Sequence, residues 1–276
     1  MPVINDALER EYNNRAKVPD FPAIAAALGR DAAVFRATHP DSELGVAYGP
    51  TERQAMDIFW PASGRDAPLA IFLHGGYWQS LDRAWFSHLA AGLTGCGIGV
   101  AMPSYDLCPT VTLAQLTEQV RDAAAFLYRR HGRRMLAFGH SAGGHLTAML
   151  MATDWPARAQ GLPAALIAAG LPISGLFDLL PLTETTINDA LHLDAAEARR
   201  LSPLLLPSPG LPFHAVVGGA EGTEYERQSR GIAQAWGGTW EAVPGANHFT
   251  VIAPLAESHA AITQRLAAMS QGLRQG

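Results

Sequence analysis

The sequence predicts an α/β protein built on a mostly parallel sheet with helices on both faces. Short apolar runs, such as Leu69-Ala70-Ile71-Phe72-Leu73 and Phe213-His214-Ala215-Val216-Val217, recur along the chain and read as buried strands. Between them lie longer stretches of helical spacing, clearest at 113–131, where apolar residues fall at 113, 116, 120, 123, 124 and 127. Strands that alternate with helices are joined by crossovers and pair in parallel. The 276 residues are enough for one such domain with a sizeable core, and no repeat or long linker divides them. Residues 1–276 therefore read as a single domain.

In chain order, the charged stretch 5–17 predicts a helix that ends before Val18-Pro19. Arg53 to Trp60 predicts a strand, closed by a turn at Pro61-Ala62-Ser63-Gly64. After the strand 69–73, residues 82–93 have helical spacing, and 97–102 is strand-like up to Pro103. The helix 113–131 leads to a strand at 135–138, and further apolar runs follow at 162–171 and 213–217. A helix from about Glu224 to Trp236, a short strand at 239–243 and a last helix at 255–273 complete the pattern. The segment 172–209 breaks this rhythm with five prolines. It reads as a cap or pocket-lining insertion, with a surface excursion of no role as the alternative.

Composition narrows the setting. Apolar residues make up 48% of the chain and charged ones 16%, as in a globular protein, and the formal charge is −5. That balance gives no reason to expect nucleic acid or an anionic membrane surface. No apolar run approaches the roughly 18 residues of a membrane span. The start, Met1 to Asp6, lacks the basic and apolar regions of a signal peptide. Only Cys96 and Cys108 are present, which predicts a reducing, cytoplasmic setting and no disulfide framework. The ten histidines show no metal-ligand spacing, so neither a metal nor an organic cofactor is expected. The expected partner is a small-molecule substrate. A homodimer is compatible with the pattern, which marks no interface.

Ser141 is the most informative residue. It centres Gly139-His140-Ser141-Ala142-Gly143, between the strand-like 135–138 and the helix-like 144–150. G-x-S-x-G between strand and helix is the signature of a strained turn that lifts a nucleophilic hydroxyl clear of a sheet. A second motif, His74-Gly75-Gly76-Tyr77-Trp78, directly follows the strand 69–73. Alone it reads as an ordinary Gly-Gly turn. Paired with Ser141, its Gly75 and Gly76 N–H groups, with that of Ala142, suit the oxyanion that acyl transfer creates.

Such a nucleophile needs a base, and the chain order Ser, acid, His points downstream. His145 is too close in sequence to swing onto Ser141, His214 lies in a strand, and His259 reads as part of the last helix. His248 lies in a loop between a strand and that helix, where it can reach the carboxyl edge of the sheet. The acid belongs in the loop after the strand 213–217, which offers Glu221 and Glu224. Glu221 is favoured because it comes first after the strand, whereas Glu224 reads equally as a first-turn helix acid.

Beyond these motifs, Ser174 to Leu179, Arg227-Gln228-Ser229, Tyr12-Asn13-Asn14-Arg15 with Val18-Pro19, and Asn188 to Leu191 before Ser202-Pro203 carry a resemblance over nearly the whole chain. The sequence resembles the kynurenine formamidase (arylformamidase) branch of the α/β-hydrolases. The resemblance implies Ser141 as nucleophile, His248 as base and the acid at the position of Glu221, where the family usually carries Asp. It implies hydrolysis of an N-formyl or N-acyl aromatic amine. The alternatives are a carboxylesterase or thioesterase of the same mechanism and, in a different class, a non-catalytic binding protein. A formyl-specific site needs a small acyl pocket and a wider aromatic one, for which Tyr77, Trp78, Tyr105 and Phe177 are candidates.

Overall fold

The computed structural model describes residues 4–272. The strands are β1 (Ser42–Ala47), β2 (Ala55–Phe59), β3 (Leu69–Leu73), β4 (Gly99–Pro103), β5 (Met135–His140), β6 (Ile167–Ile173), β7 (His214–Gly218) and β8 (Thr239–Val243). They form one eight-stranded sheet in the order β1-β2-β4-β3-β5-β6-β7-β8. The β1–β2 and β2–β4 pairs are antiparallel, and every other pair is parallel. Parallel strands β3 to β8 therefore end on one edge, where the loops after them converge.

The period-two alternation of each strand divides the core between the two faces. Leu69, Ile71, Leu73, Met135, Ala137, Ala215 and Val217 pack with the helices Leu113–His131, Ala142–Met151 and Thr223–Trp236. Ala70, Phe72, Leu136, Phe138 and Val216 face the other way, onto the helices Ala90–Gly95 and Ala261–Gly272. Burial on both faces explains why these strands read as unbroken apolar runs. The helix Leu113–His131 is closed at both ends by local chemistry. Thr112 and Gln115 form a capping box, and Gly132 ends it in the left-handed conformation at φ 67°.

Several elements differ from expectation. The stretch 5–17 forms two helices, Asp6–Tyr12 and Asn14–Lys17, because Asn13 ends the first and caps the second with its side chain on Ala16 N–H. A helix at Phe21–Thr38 and strand β1 are additions to the expected pattern; the helix buries only Ala32 fully and its apolar periodicity is weak. Residues 82–93 are two short 3-10 turns before the helix Ala90–Gly95. The last helix is Ala261–Gly272 rather than 255–273, preceded by a 3-10 turn at Ala253–Ala256 that begins around Pro254; Leu273 lies outside the described residues. His259 accordingly stands in a loop, exposed beside Glu257. Segment 172–209 finishes β6 and then runs through short helices at Leu180–Glu184, Asn188–Leu191, Ala195–Arg200 and Pro203–Leu205. Among the described residues no helix is long and apolar enough to cross a membrane.

Candidate active site

Ser141 sits at the tip of β5, directly before the helix Ala142–Met151, with φ 57° and ψ −118°. A non-glycine residue in this region is strained and is held there by its surroundings. Here the hold is close packing: a Cβ on Gly143 would overlap the Leu73 carbonyl, so only glycine lets the helix start this near β3. Ser141 N–H donates to Ile173 O at 2.8 Å, which ties the turn to β6.

The loops after β7 and β8 deliver the other partners. His248 Nδ1 lies 2.6 Å from Glu221 Oε2, and the two side chains are 5% and 1% exposed. A carboxylate oxygen only accepts, so Nδ1 carries a proton, and in the neutral imidazole Nε2 is left with the lone pair. Glu221 is itself fixed: its Oε1 accepts from Gly218 N–H at 2.6 Å and from Ser174 Oγ at 2.5 Å. Ser174 holds a positive φ of 49° at the end of β6. Glu224, the other candidate acid, points elsewhere. It opens the helix Thr223–Trp236 and takes hydrogen bonds from Arg227 and the Tyr12 hydroxyl. Burial raises its pKa, but those two partners outweigh burial and hold it below the ordinary range.

Ser141 and His248 border one cavity of about 530 Å³ together with Gly75, Gly76, Tyr77 and His140. No hydrogen bond joins Ser141 to His248. The N–H groups of Gly75, Gly76 and Ala142 have no acceptor among the described residues. Gly76 turns at φ 113°, where a Cβ would strike the Ser80 carbonyl. Gly75 passes so close that a Cβ there would lie 3.2 Å from Ser141 Cβ. A strained hydroxyl, an imidazole oriented by a carboxylate and unpaired N–H groups together suit nucleophilic acyl transfer.

Three of the four aromatic candidates do not line this cavity, because the core claims them. Trp78 is fully buried with its ring edge-on to His145 at 5.1 Å. Tyr105 is buried flat against His74 at 4.3 Å and donates to His74 O. Phe177 is buried beside Gly175, where any Cβ would overlap its ring. Tyr77 does border the cavity. Its hydroxyl donates to Tyr12 O at 2.5 Å and so accepts from Tyr225 at 2.6 Å, while Asn14 donates to Tyr225 at 2.7 Å. That network fastens the N-terminal helices over the site. Wall residues Tyr12, Asn14, Phe21, Ala25 and Leu28 come from that segment, whereas 172–209 contributes Thr186 and Ile187.

His145 and His214 are structural. His145 bonds Leu201 O and is pushed down to about 4 by burial. His214 bonds Thr239 Oγ1 on β8. His140, the variable residue of G-x-S-x-G, carries no signal in the sequence. It is buried with Nε2 2.8 Å from His248 O and its ring 4.7 Å from that of His248, and burial, then the neighbouring His248, push its pKa well below the ordinary range. Ser174 is likewise not singled out by sequence as a partner of the acid, although its place just after a strand is visible there.

Comparison with known proteins agrees with this arrangement. The family described as BD-FAE matches residues 56–162. The kynurenine formamidase of Salmo salar is 32% identical over 241 residues, covering 82% of this chain and 81% of that protein. A crystal structure described as a candidate thioesterase, from Silicibacter sp. TM1040, is 33% identical with TM-score 0.87, covering 93% of this chain and 97% of that one. An esterase of Pyrobaculum calidifontis shares the fold alone, at 15% identity and TM-score 0.68, over 98% of this chain and 99% of that one. With its mostly parallel sheet and near full-length similarity, the chain is a hydrolase that belongs to the kynurenine formamidase family of the α/β-hydrolases.

Proposed function

We propose that this chain hydrolyses an N-formyl or N-acyl aromatic amine of the N-formylkynurenine type, through an acyl-enzyme on Ser141. The observation that carries the reading is the buried Glu221–His248 pair opening on the same cavity as Ser141 and the unpaired N–H groups of Gly75 and Gly76. The relative named kynurenine formamidase supports the formamide as substrate.

Ser141 Oγ attacks the formamide carbon while His248 Nε2 takes its proton; Nδ1–H stays on Glu221, whose charge stabilises the imidazolium. The carbonyl oxygen becomes an oxyanion and accepts from the N–H groups of Gly76 and Ala142, with Gly75 beside them. The C–N bond breaks as Nε2–H passes to the nitrogen, which leaves as the aryl amine. Water then gives its proton to Nε2 and attacks the formyl ester. Ser141 Oγ recovers that proton and formate departs. The tight approach of Gly75 to Ser141 suits a small acyl group, and Phe21, Trp85 and Phe249 offer aromatic wall for the amine.

A carboxylesterase or thioesterase is the second reading, favoured by the 33% identical structure described as a candidate thioesterase. The deciding test is kcat/KM for N-formylkynurenine beside p-nitrophenyl acetate and butyrate. Preference for the formamide is expected; ester turnover with negligible formamide turnover selects the second reading. Ser141→Ala should lower either activity on the order of 10⁵–10⁶-fold. Retained turnover removes the mechanism. A cytoplasmic setting is part of the proposal, supported by Cys96 and Cys108, both free thiols.

A further inference from the structure

The cavity carries a charge that the acyl chemistry does not use. Arg15 borders it from the short helix Asn14–Lys17 and is, among the described residues, the only lysine or arginine in its lining. Its guanidinium carbon stands 5.2 Å from the centroid of the Phe21 ring. Phe21 rests on Phe249 at 4.5 Å, and Phe249 meets the His248 ring edge-on at 5.4 Å. A ladder of rings thus leads from the candidate base to the cation. Among the described residues the Arg15 guanidinium has no hydrogen-bond acceptor and no carboxylate partner. Glu9, the one carboxylate in the lining among the described residues, is engaged by Thr186, whose N–H and hydroxyl donate to it at 2.8 and 2.6 Å. Asn13 is equally committed, to Ala16 N–H. With no partner among the described residues the Arg15 N–H groups are available, and a guanidinium matches a carboxylate in two-pronged geometry.

We propose that Arg15 binds a carboxylate carried on the leaving-amine side of the substrate, so that aryl formamides with a carboxylate, such as that of an amino-acid end, are preferred over those without one. The inference rests on Ser141 acting from the floor of this cavity. The apolar rings hold the aromatic body, and Arg15 at the rim reads the far end of the molecule.

The test is a ratio: kcat/KM for N-formylkynurenine over that for 2-formamidoacetophenone, the same aryl formamide without the amino-acid end. Both are measured on one preparation, so a loss of folded protein cancels. The wild type should favour the carboxylated substrate, and Arg15→Gln should lower the ratio roughly 10–100-fold, mostly through KM. Arg15→Lys should restore part of it, since the charge returns without the fork. An unchanged ratio in Arg15→Gln overturns the proposal. An ester pair, 3-(4-acetoxyphenyl)propanoate over phenyl acetate, is run alongside. If neither formamide is turned over but both esters are, the formamide reading fails while the ester ratio still decides the role of Arg15.

Discussion

Replacing Glu221 by Gln changes one oxygen to an NH₂ and leaves the shape of the buried pair intact. The orientation of the new amide is dictated by its neighbours. Gly218 N–H, 2.6 Å from Glu221 Oε1, can only donate, so the amide oxygen must face it. The NH₂ then points at His248 Nδ1, where the carboxylate oxygen stood 2.6 Å away. Nδ1 is forced to accept, and the imidazole proton moves to Nε2, the nitrogen that takes the proton of Ser141 in the proposed mechanism. Recovering the productive tautomer sets N–H against N–H in a site where both side chains are at most 5% exposed. Each buried donor left unpaired costs about 1–3 kcal/mol. Loss of the anion beside the imidazolium adds to this. The sum corresponds to a fall in kcat of roughly 10³–10⁴, the scale of the equivalent carboxylate-to-amide change in serine proteases. The assay is steady-state hydrolysis of N-formylkynurenine and p-nitrophenyl acetate, with Glu224→Gln as the comparison. Glu224→Gln should lose far less, because that side chain bonds Arg227 and Tyr12 rather than His248. Glu221→Gln within tenfold of the wild type, or the larger loss at Glu224, would refute the assignment.

Ser174→Ala removes the hydroxyl that donates to Glu221 Oε1 at 2.5 Å, while Gly218 N–H remains. It should lower kcat about tenfold with little change in KM. A pure KM effect would count against a role in positioning Glu221. Stability should fall on acidification. Burial pushes His74 and His145 down to about 4, whereas unfolded histidine titrates near ~6.5. Between those values the unfolded chain binds more protons, so stability is complete above pH ~6.5 and declines by roughly 3 kcal/mol per histidine as pH drops to 4. Urea midpoints at pH 7.5 and 5 should differ, and His145→Gln, which keeps a donor for Leu201 O, should shrink the difference. Equal midpoints in the wild type would sink this account.

What the sequence by itself determines is local. The turn at Ser141 depends on small residues within four positions, and the strand and helix on either side are set by apolar period, so both are legible in the chain alone. The same holds for the glycines after β3 and for parallel strands whose two buried faces make unbroken apolar runs. Residues separated by many positions are another matter. Glu221 and Glu224 differ by less than one helical turn; which one meets His248 is decided by the helix starting at Thr223, which carries Glu224 toward Arg227 and Tyr12. Trp78, Tyr105 and Phe177 are indistinguishable from Tyr77 by residue type, and only packing sends three into the core and one to the cavity wall. The prolines of 172–209 mark that segment as a cap or pocket-lining insertion, yet the N-terminal helices give the cavity more of its wall, held by hydrogen bonds between Tyr12, Asn14, Tyr77 and Tyr225. Those contacts join residues up to 211 positions apart, and no periodicity along a chain records which distant segment will close over a site. Local dihedral preference and side-chain period are written in neighbouring residues; the partners of a buried polar group are chosen only when the whole sheet has assembled and desolvation demands that each be satisfied.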